Sequence, residues 1–156
     1  MATLADTTVL SNFSQVRRPD LLRLAYPDLI APPIVLAELK AGERRGLVPI
    51  CDWTWLEVAP PVGREVSYVQ ELGHGIGPGE AACLALAKSR GLFLLTDDAA
   101  ARALALSLGI ELSGTLGVLV KLVHRQAISP DLADELLTEM RRRGYRSPVR
   151  SIQEVL

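Results

Sequence analysis

Leu92-Phe93-Leu94-Leu95-Thr96-Asp97-Asp98 is the stretch on which the reading of the fold turns. Its apolar run reads as a short strand buried on both faces. The run stops at Thr96 and two carboxylates follow. Then comes Ala99-Ala100-Ala101-Arg102-Ala103-Leu104-Ala105-Leu106, a strong helix former with apolar spacing. The acids therefore sit in the turn between a central strand and its following helix. In open α/β sheets ligands bind there, outside the carboxyl ends of the strands. Adjacent acids repel unless a cation or a proton offsets them.

Strand-then-helix units of the same kind recur along the chain. Ala2-Thr3-Leu4-Ala5 reads as a strand ending at Asp6, and Thr7-Thr8 can cap the helix that begins at Val9. Pro19-Asp20 opens a short helix through Ala25, and Asp28 to Ala31 is a second strand. Pro32-Pro33 then starts a helix carrying Ile34 to Leu39, since proline is tolerated in a first turn. Glu38 lies inside an apolar turn of it, while Lys40, Glu43, Arg44 and Arg45 mark a wet continuation closed by Gly46. Trp53 to Val58 alternates and reads as an edge strand. Its tryptophans are packing residues on the simpler reading and base-stacking residues on the functional one.

After a helix through Leu72, Gly73-His74-Gly75-Ile76-Gly77-Pro78-Gly79 forms a glycine-rich loop. It lacks a Walker Lys-Ser/Thr and a dinucleotide-type spacing, so phosphate cradling is weakly signalled. Glu80 stands in the first turn of the following helix, where a negative charge is favourable in any case. Ile110-Glu111-Leu112 is a last strand, and Thr115 falls at a further strand-to-helix junction, as a cap or as a site hydroxyl. A final helix runs from Ser129 to Met140. The expected architecture is one domain, residues 1–156, as a three-layer α/β/α sandwich with a mostly parallel sheet and a helical C-terminal segment from about 129. Only 4% of residues are aromatic, so Leu, Ala, Val and Ile fill the core and helices outweigh strands.

Seventeen basic and 18 acidic residues leave a net charge of −1, which does not advertise a nucleic-acid binder. Setting aside Asp6, Glu38, Glu80, Asp97 and Asp98 leaves 17 basic against 13 acidic residues, so a basic rim around an acidic centre is compatible with the total. Arg141, Arg142, Arg143, Arg146 and Arg150 crowd the tail, either as a solvated face or as phosphate contacts. Cys51 and Cys83 have no metal-ligand spacing and read as reduced thiols. No apolar run approaches the ~20 residues of a membrane span, and no leader-like N-terminus is evident, so a cytoplasmic protein is expected.

In a parallel sheet, Asp6, Asp97 and Asp98 share one edge, and Glu38 and Glu80 lie on helices packed against it. Such a cluster suits Mg²⁺ or Mn²⁺, hard cations that take oxygen ligands. Divalent ions so held can activate water and stabilise the leaving oxygen of a phosphodiester. No Ser-His-Asp or Cys-His arrangement competes with that chemistry.

The same residues carry a family resemblance. Asp6-Thr7-Thr8-Val9-Leu10 resembles the opening motif of PIN domains, and Val35-Leu36-Ala37-Glu38-Leu39 resembles their second acidic motif. Gly79-Glu80-Ala81-Ala82 resembles the third, and Leu94-Leu95-Thr96-Asp97-Asp98 the fourth, with Asp98 on the family acid and Asp97 auxiliary. Gly114-Thr115-Leu116-Gly117-Val118-Leu119 is similar to the closing segment of a PIN-related prokaryotic subfamily. The resemblance implies a PIN fold and a Mg²⁺/Mn²⁺-dependent endoribonuclease. Asp6, Glu38, Glu80 and Asp98 would be catalytic and metal-holding, with Asp97 a further ligand and Thr8, Thr96 and Thr115 as supporting donors. It also implies RNA as substrate, a homodimer, and for VapC-type toxins a small antitoxin partner. This chain carries Glu80 where the toxins commonly carry Asp. Two other readings remain: a PIN-like module that binds RNA or protein without cutting, and a phosphotransferase using Asp6. The second would want an Asp at the position of Thr8.

Overall fold

The computed structural model describes residues 1–156. Five parallel strands form one sheet in the order β3-β2-β1-β4-β5: β1 (Thr3–Ala5), β2 (Leu29–Ala31), β3 (Glu57–Val58), β4 (Phe93–Leu95) and β5 (Leu112–Ser113). β1 and β4 are adjacent, with Ala5 opposite Leu95, so Asp6 and the Thr96-Asp97-Asp98 turn leave the sheet side by side. The central strands are short and their inward residues wholly buried, as the uninterrupted apolar runs require.

Eight helices cover the sheet: α1 (Thr7–Gln15), α2 (Pro19–Ala25), α3 (Pro33–Arg44), α4 (Arg64–Leu72), α5 (Pro78–Arg90), α6 (Ala99–Ser107), α7 (Thr115–His124) and α8 (Pro130–Arg142). α1, α2, α7 and α8 pack on one another, while α5 packs on α4 and α6; α3 touches both α1 and α5. Together with the sheet these sets give the α/β/α layering. Every residue of α5 from Ala81 to Ala87 is buried, because its small side chains let it lie close on β1 and β4. Leu4, Leu10, Phe13, Leu84, Leu94 and Leu119 are fully buried in the core between these layers.

Several local expectations are corrected. Only Glu57–Val58 of the Trp53–Val58 stretch is strand, at the sheet edge. Trp53 to Leu56 turns instead, because the Asp52 carboxylate accepts from the Thr54 N–H and hydroxyl and Leu56 N–H donates to Trp53 C=O. The tryptophans pack: Trp53 is buried, and Trp55 lies 5.7 Å from it with Arg23 over its ring. The last strand begins at Leu112 rather than Ile110. The cap of α1 is Asp6, not Thr7 or Thr8, which are its first helical residues. Glu43 is buried rather than wet, since it accepts from the Cys51 N–H at 3.1 Å and pairs with Lys40.

Beyond α8 the chain crosses back over the molecule and ends in a 3-10 turn at Ile152–Glu154. Asp134 on α8 ties this turn down, accepting from Ile152 N–H at 2.6 Å and from the Ser151 hydroxyl at 3.2 Å, and Ile152 is fully buried. Asp134→Ala leaves the buried Ile152 N–H without a partner and should lower the unfolding free energy by about 1–3 kcal/mol. Urea titration followed by circular dichroism reads this, and an unshifted midpoint would show that the turn holds without Asp134.

Candidate functional site

The strand ends and helix starts converge on a cleft of about 770 Å³ at the carboxyl edge of the sheet. Glu38, Glu80, Asp97 and Asp98 line it, together with Thr7, Thr8 and Asn12. Arg143, Gly144, Tyr145 and Arg146 form another part of its lining. Asp6 lies beneath, only 1% exposed.

Asp6 is held by a closed set of hydrogen bonds. Its Oδ1 accepts from Thr8 N–H at 3.1 Å, Val9 N–H at 3.3 Å and the Thr8 hydroxyl at 2.5 Å. Its Oδ2 accepts from the Thr96 hydroxyl. Both hydroxyls are themselves acceptors: Asp97 N–H donates to Thr8 Oγ1 at 2.9 Å, and Asp98 N–H to Thr96 Oγ1 at 3.1 Å. A hydroxyl has one proton to give. With their lone pairs taken by the two peptide N–H groups, Thr8 and Thr96 both point that proton at Asp6. Asp6 thus fixes the Asp97-Asp98 turn through two side chains.

Asp97 is similarly occupied. Its Oδ1 accepts from Thr115 N–H at 2.9 Å; its Oδ2 accepts from the Thr115 hydroxyl at 2.5 Å and from Asn12 Nδ2 at 3.0 Å. It serves as the side-chain cap that Gly114, at the N-terminus of α7, cannot provide. Thr115 is therefore no cap; its hydroxyl belongs to Asp97. Asp98 caps α6, its Oδ2 accepting from Ala101 N–H at 2.8 Å. Glu38 accepts from the Thr7 hydroxyl at 2.8 Å. Glu38 approaches α5 closely: a Cβ on Gly79 would stand 2.6 and 2.8 Å from its carboxylate oxygens, so a side chain there would push the Glu38 carboxylate aside. Glu80 makes no side-chain hydrogen bond to protein.

Burial pushes the Asp6 carboxyl up to about 7, against the lowering pull of its Thr8, Thr96 and Val9 donors, and Asp97 adds to the rise. Burial likewise raises Asp97, partly offset by Thr115 and Asn12. Burial raises Glu80, with Asp98 and Glu38 as like-charged neighbours. None of the five acids forms a salt bridge. Glu65, which is ion-paired, behaves differently: its hydrogen bonds from Arg90 bring it down to about 2.

All five sequence-derived acids thus come to one edge, in two roles. Asp6 and Asp97 have their oxygens spent on internal donors. Glu38, Glu80 and Asp98 each keep a carboxylate oxygen without a protein donor, and all three line the cleft. No three His, Cys, Asp or Glu side chains stand close enough together to enclose an ion by themselves in this conformation. Thr8 and Thr96 donate to Asp6, and Thr115 donates to Asp97. Of the tail arginines, Arg143 and Arg146 line the cleft, and Arg141 and Arg142 do not. Sequence reasoning missed Thr7 and Asn12. Asn12 lies four residues after Thr8, on the same helical face, which is the signal that would have found it.

A family model described as a PIN domain, DUF3368, matches residues 2–156. The chain belongs to this PIN-domain family. PIN domains are generally nucleases, and those nucleases generally use divalent metals. Among solved structures, PAE2754 from Pyrobaculum aerophilum is similar, with a TM-score of 0.55 and 20% identity over 80% of this chain and 99% of that one. At that identity the likeness is one of fold. No curated protein matches the chain. No helix is long and apolar enough to cross a membrane.

The folded metal-free protein keeps a proton on Asp6 up to about pH 7, whereas an unfolded aspartate releases it near pH 4. Across that window the folded state binds more protons, so stability falls as pH rises, by about 1.4 kcal/mol per pH unit at the steepest. Urea unfolding of metal-free protein between pH 4.5 and 7.5 measures this, and Asp6→Asn should flatten the profile. Stability that rises across the window would contradict the burial assigned to Asp6.

Proposed function

We propose that this protein is a Mg²⁺- or Mn²⁺-dependent endoribonuclease. The observation that carries the reading is a cleft at the carboxyl edge of a parallel sheet, lined by Glu38, Glu80, Asp97 and Asp98 with no cation paired to any of them. Like charges so arranged oppose one another's ionisation, and Glu80 feels both Asp98 and Glu38. A hard divalent cation relieves this and matches an all-oxygen donor set.

Glu38, Glu80 and Asp98 would hold the ion, each having a carboxylate oxygen not engaged by the protein. When bound, it supplies a Lewis acid for the phosphoryl oxygens and lowers the pKa of an attacking water. The chain's own residues supply rigidity. Asp6 holds the Asp97-Asp98 turn through Thr8 and Thr96, Asp97 locks α7 to that turn, and Thr7 steadies Glu38. Asp6 then acts as a positioning residue that orients Asp98 from beneath.

A second reading, a PIN-like module that binds RNA without cutting it, draws on the spread of the acids along the cleft, where no three approach closely. Calorimetry with Mn²⁺ separates the two, because a module without chemistry takes up no specific ion. On the nuclease reading, Glu80→Gln and Asp98→Asn each reduce Mn²⁺-dependent cleavage of single-stranded RNA by roughly 100-fold or more while circular dichroism stays unchanged. Cleavage at the wild-type rate by both variants would remove the reading.

A further inference from the structure

The acidic cleft by itself repels the phosphates it would have to receive. Its counter-charge comes from the chain that follows α8, and only from part of it. Arg143, Gly144, Tyr145 and Arg146 line the cleft. Arg146 is exposed and has no hydrogen-bond or ion-pair partner in the protein. Arg143 is engaged only by the exposed pair with Glu139 at 2.9 Å, which an incoming phosphate can replace at little cost. Arg142 pairs with the same Glu139 and does not line the cleft.

This segment is held at both ends. Gly144, at φ 114°, turns it sharply out of α8, a conformation other residues rarely adopt. Tyr145 N–H donates to Met140 C=O at 2.9 Å. On the far side, Glu154 accepts from the Arg150 and Ser151 N–H groups, and Asp134 holds Ser151 and Ile152. The arginines are thus carried on a fixed strap rather than on a loose tail. A second groove, of about 440 Å³, shares Asp97, Tyr145 and Arg146 with the cleft and is lined further by Arg102, Gly114 and Pro148. Arg146 therefore stands where the two grooves meet. Its neighbour across the junction, Arg102, adds positive charge.

We propose that the strap Arg143–Pro148 is the phosphate grip of the site. In this arrangement Arg143 and Arg146 bind the backbone of single-stranded RNA beside the acids, and the strand continues into the groove of Arg102, Gly114 and Pro148. The proposal rests on the nuclease reading for its substrate but not for its test. Arginine suits the role because its planar fork binds phosphate oxygens in pairs. Electrostatic contacts of this kind are sequence-independent and salt-sensitive.

Fluorescence anisotropy with a labelled single-stranded oligoribonucleotide, in EDTA and at several salt concentrations, tests it without turnover. Arg146→Ala should weaken binding by about 3–10-fold and Arg143→Ala plus Arg146→Ala by more, with the salt slope falling by roughly 0.7 for each arginine lost. Arg141→Ala and Arg142→Ala should bind as wild type. Pro148→Glu should weaken binding several-fold and Pro148→Ala should not, which marks the second groove as the path. Mn²⁺ calorimetry should be unchanged in all of them. Wild-type affinity in the double variant, equal losses at Arg141 and Arg142, equal affinity for a duplex of the same length, or no binding by the wild-type protein would each overturn the grip. A wild-type protein that binds through these arginines yet never cleaves would overturn the nuclease reading and leave the grip standing. Cleaving protein whose strap variants bind normally would do the reverse.

Discussion

The buried Asp6 carboxylate, accepting from two threonine hydroxyls that each take a peptide N–H from the neighbouring turn, is the constraint on which the site depends. It joins the ends of β1 and β4 at the point where they leave the sheet. The arrangement is polar and sealed at 1% exposure: the donors favour the charged form and burial opposes it. Burial outweighs the donors and pushes the carboxyl up to about 7. The positions of Asp97 and Asp98 follow, and through Asp97 the start of α7.

The five acids of the carboxyl edge divide by how far the protein's own donors engage them. Asp6 and Asp97 spend their oxygens on backbone and side-chain donors. Glu38 and Asp98 give one oxygen each to the Thr7 hydroxyl and the Ala101 N–H and keep the other unengaged. A site built so is held by rigid strand ends and helix starts rather than by long loops, which favours a fixed spacing of donors. Burial raises the Glu80 carboxyl there, and Asp98 and Glu38 add to the rise. Arg143 and Arg146 line the same cleft as the acids, yet neither forms an ion pair with Glu38, Glu80, Asp97 or Asp98.

Much of this was legible in the sequence, for a physical reason. Uninterrupted apolar runs ending in an acid at Asp6 and at Asp97 mean central parallel strands with carboxylates at their exits, and that placement follows from topology alone. Glu38 was readable because it breaks an otherwise apolar helix turn, whereas Glu80, a favourable first-turn charge in any case, stood out only through its likeness to the third acidic motif of the family. What pattern could not show was the use each acid is put to. The hydroxyls of Thr8, Thr96 and Thr115 decide it, and a threonine at a helix start looks the same whether it caps the helix or serves a distant carboxylate. The tryptophan stretch misled because alternation over Trp53 to Val58 also describes a turn held by Asp52. Glu43 misled because a charged helix residue can be buried when a backbone N–H, here that of Cys51, comes to it from elsewhere in the chain. The arginines of the tail formed one run in sequence, and only the bend at Gly144 separates those that reach the cleft from those that do not.

The central claim is that Glu38, Glu80 and Asp98 share a divalent cation above a turn that Asp6 holds from below. Crystals grown without divalent metal and soaked in Mn²⁺ test it most directly through anomalous scattering. The account predicts a peak within coordination distance of oxygens from all three side chains, with the Asp6 bonds to Thr8 and Thr96 intact. A cleft without a peak at saturating Mn²⁺, or an ion held elsewhere on the chain, would contradict it.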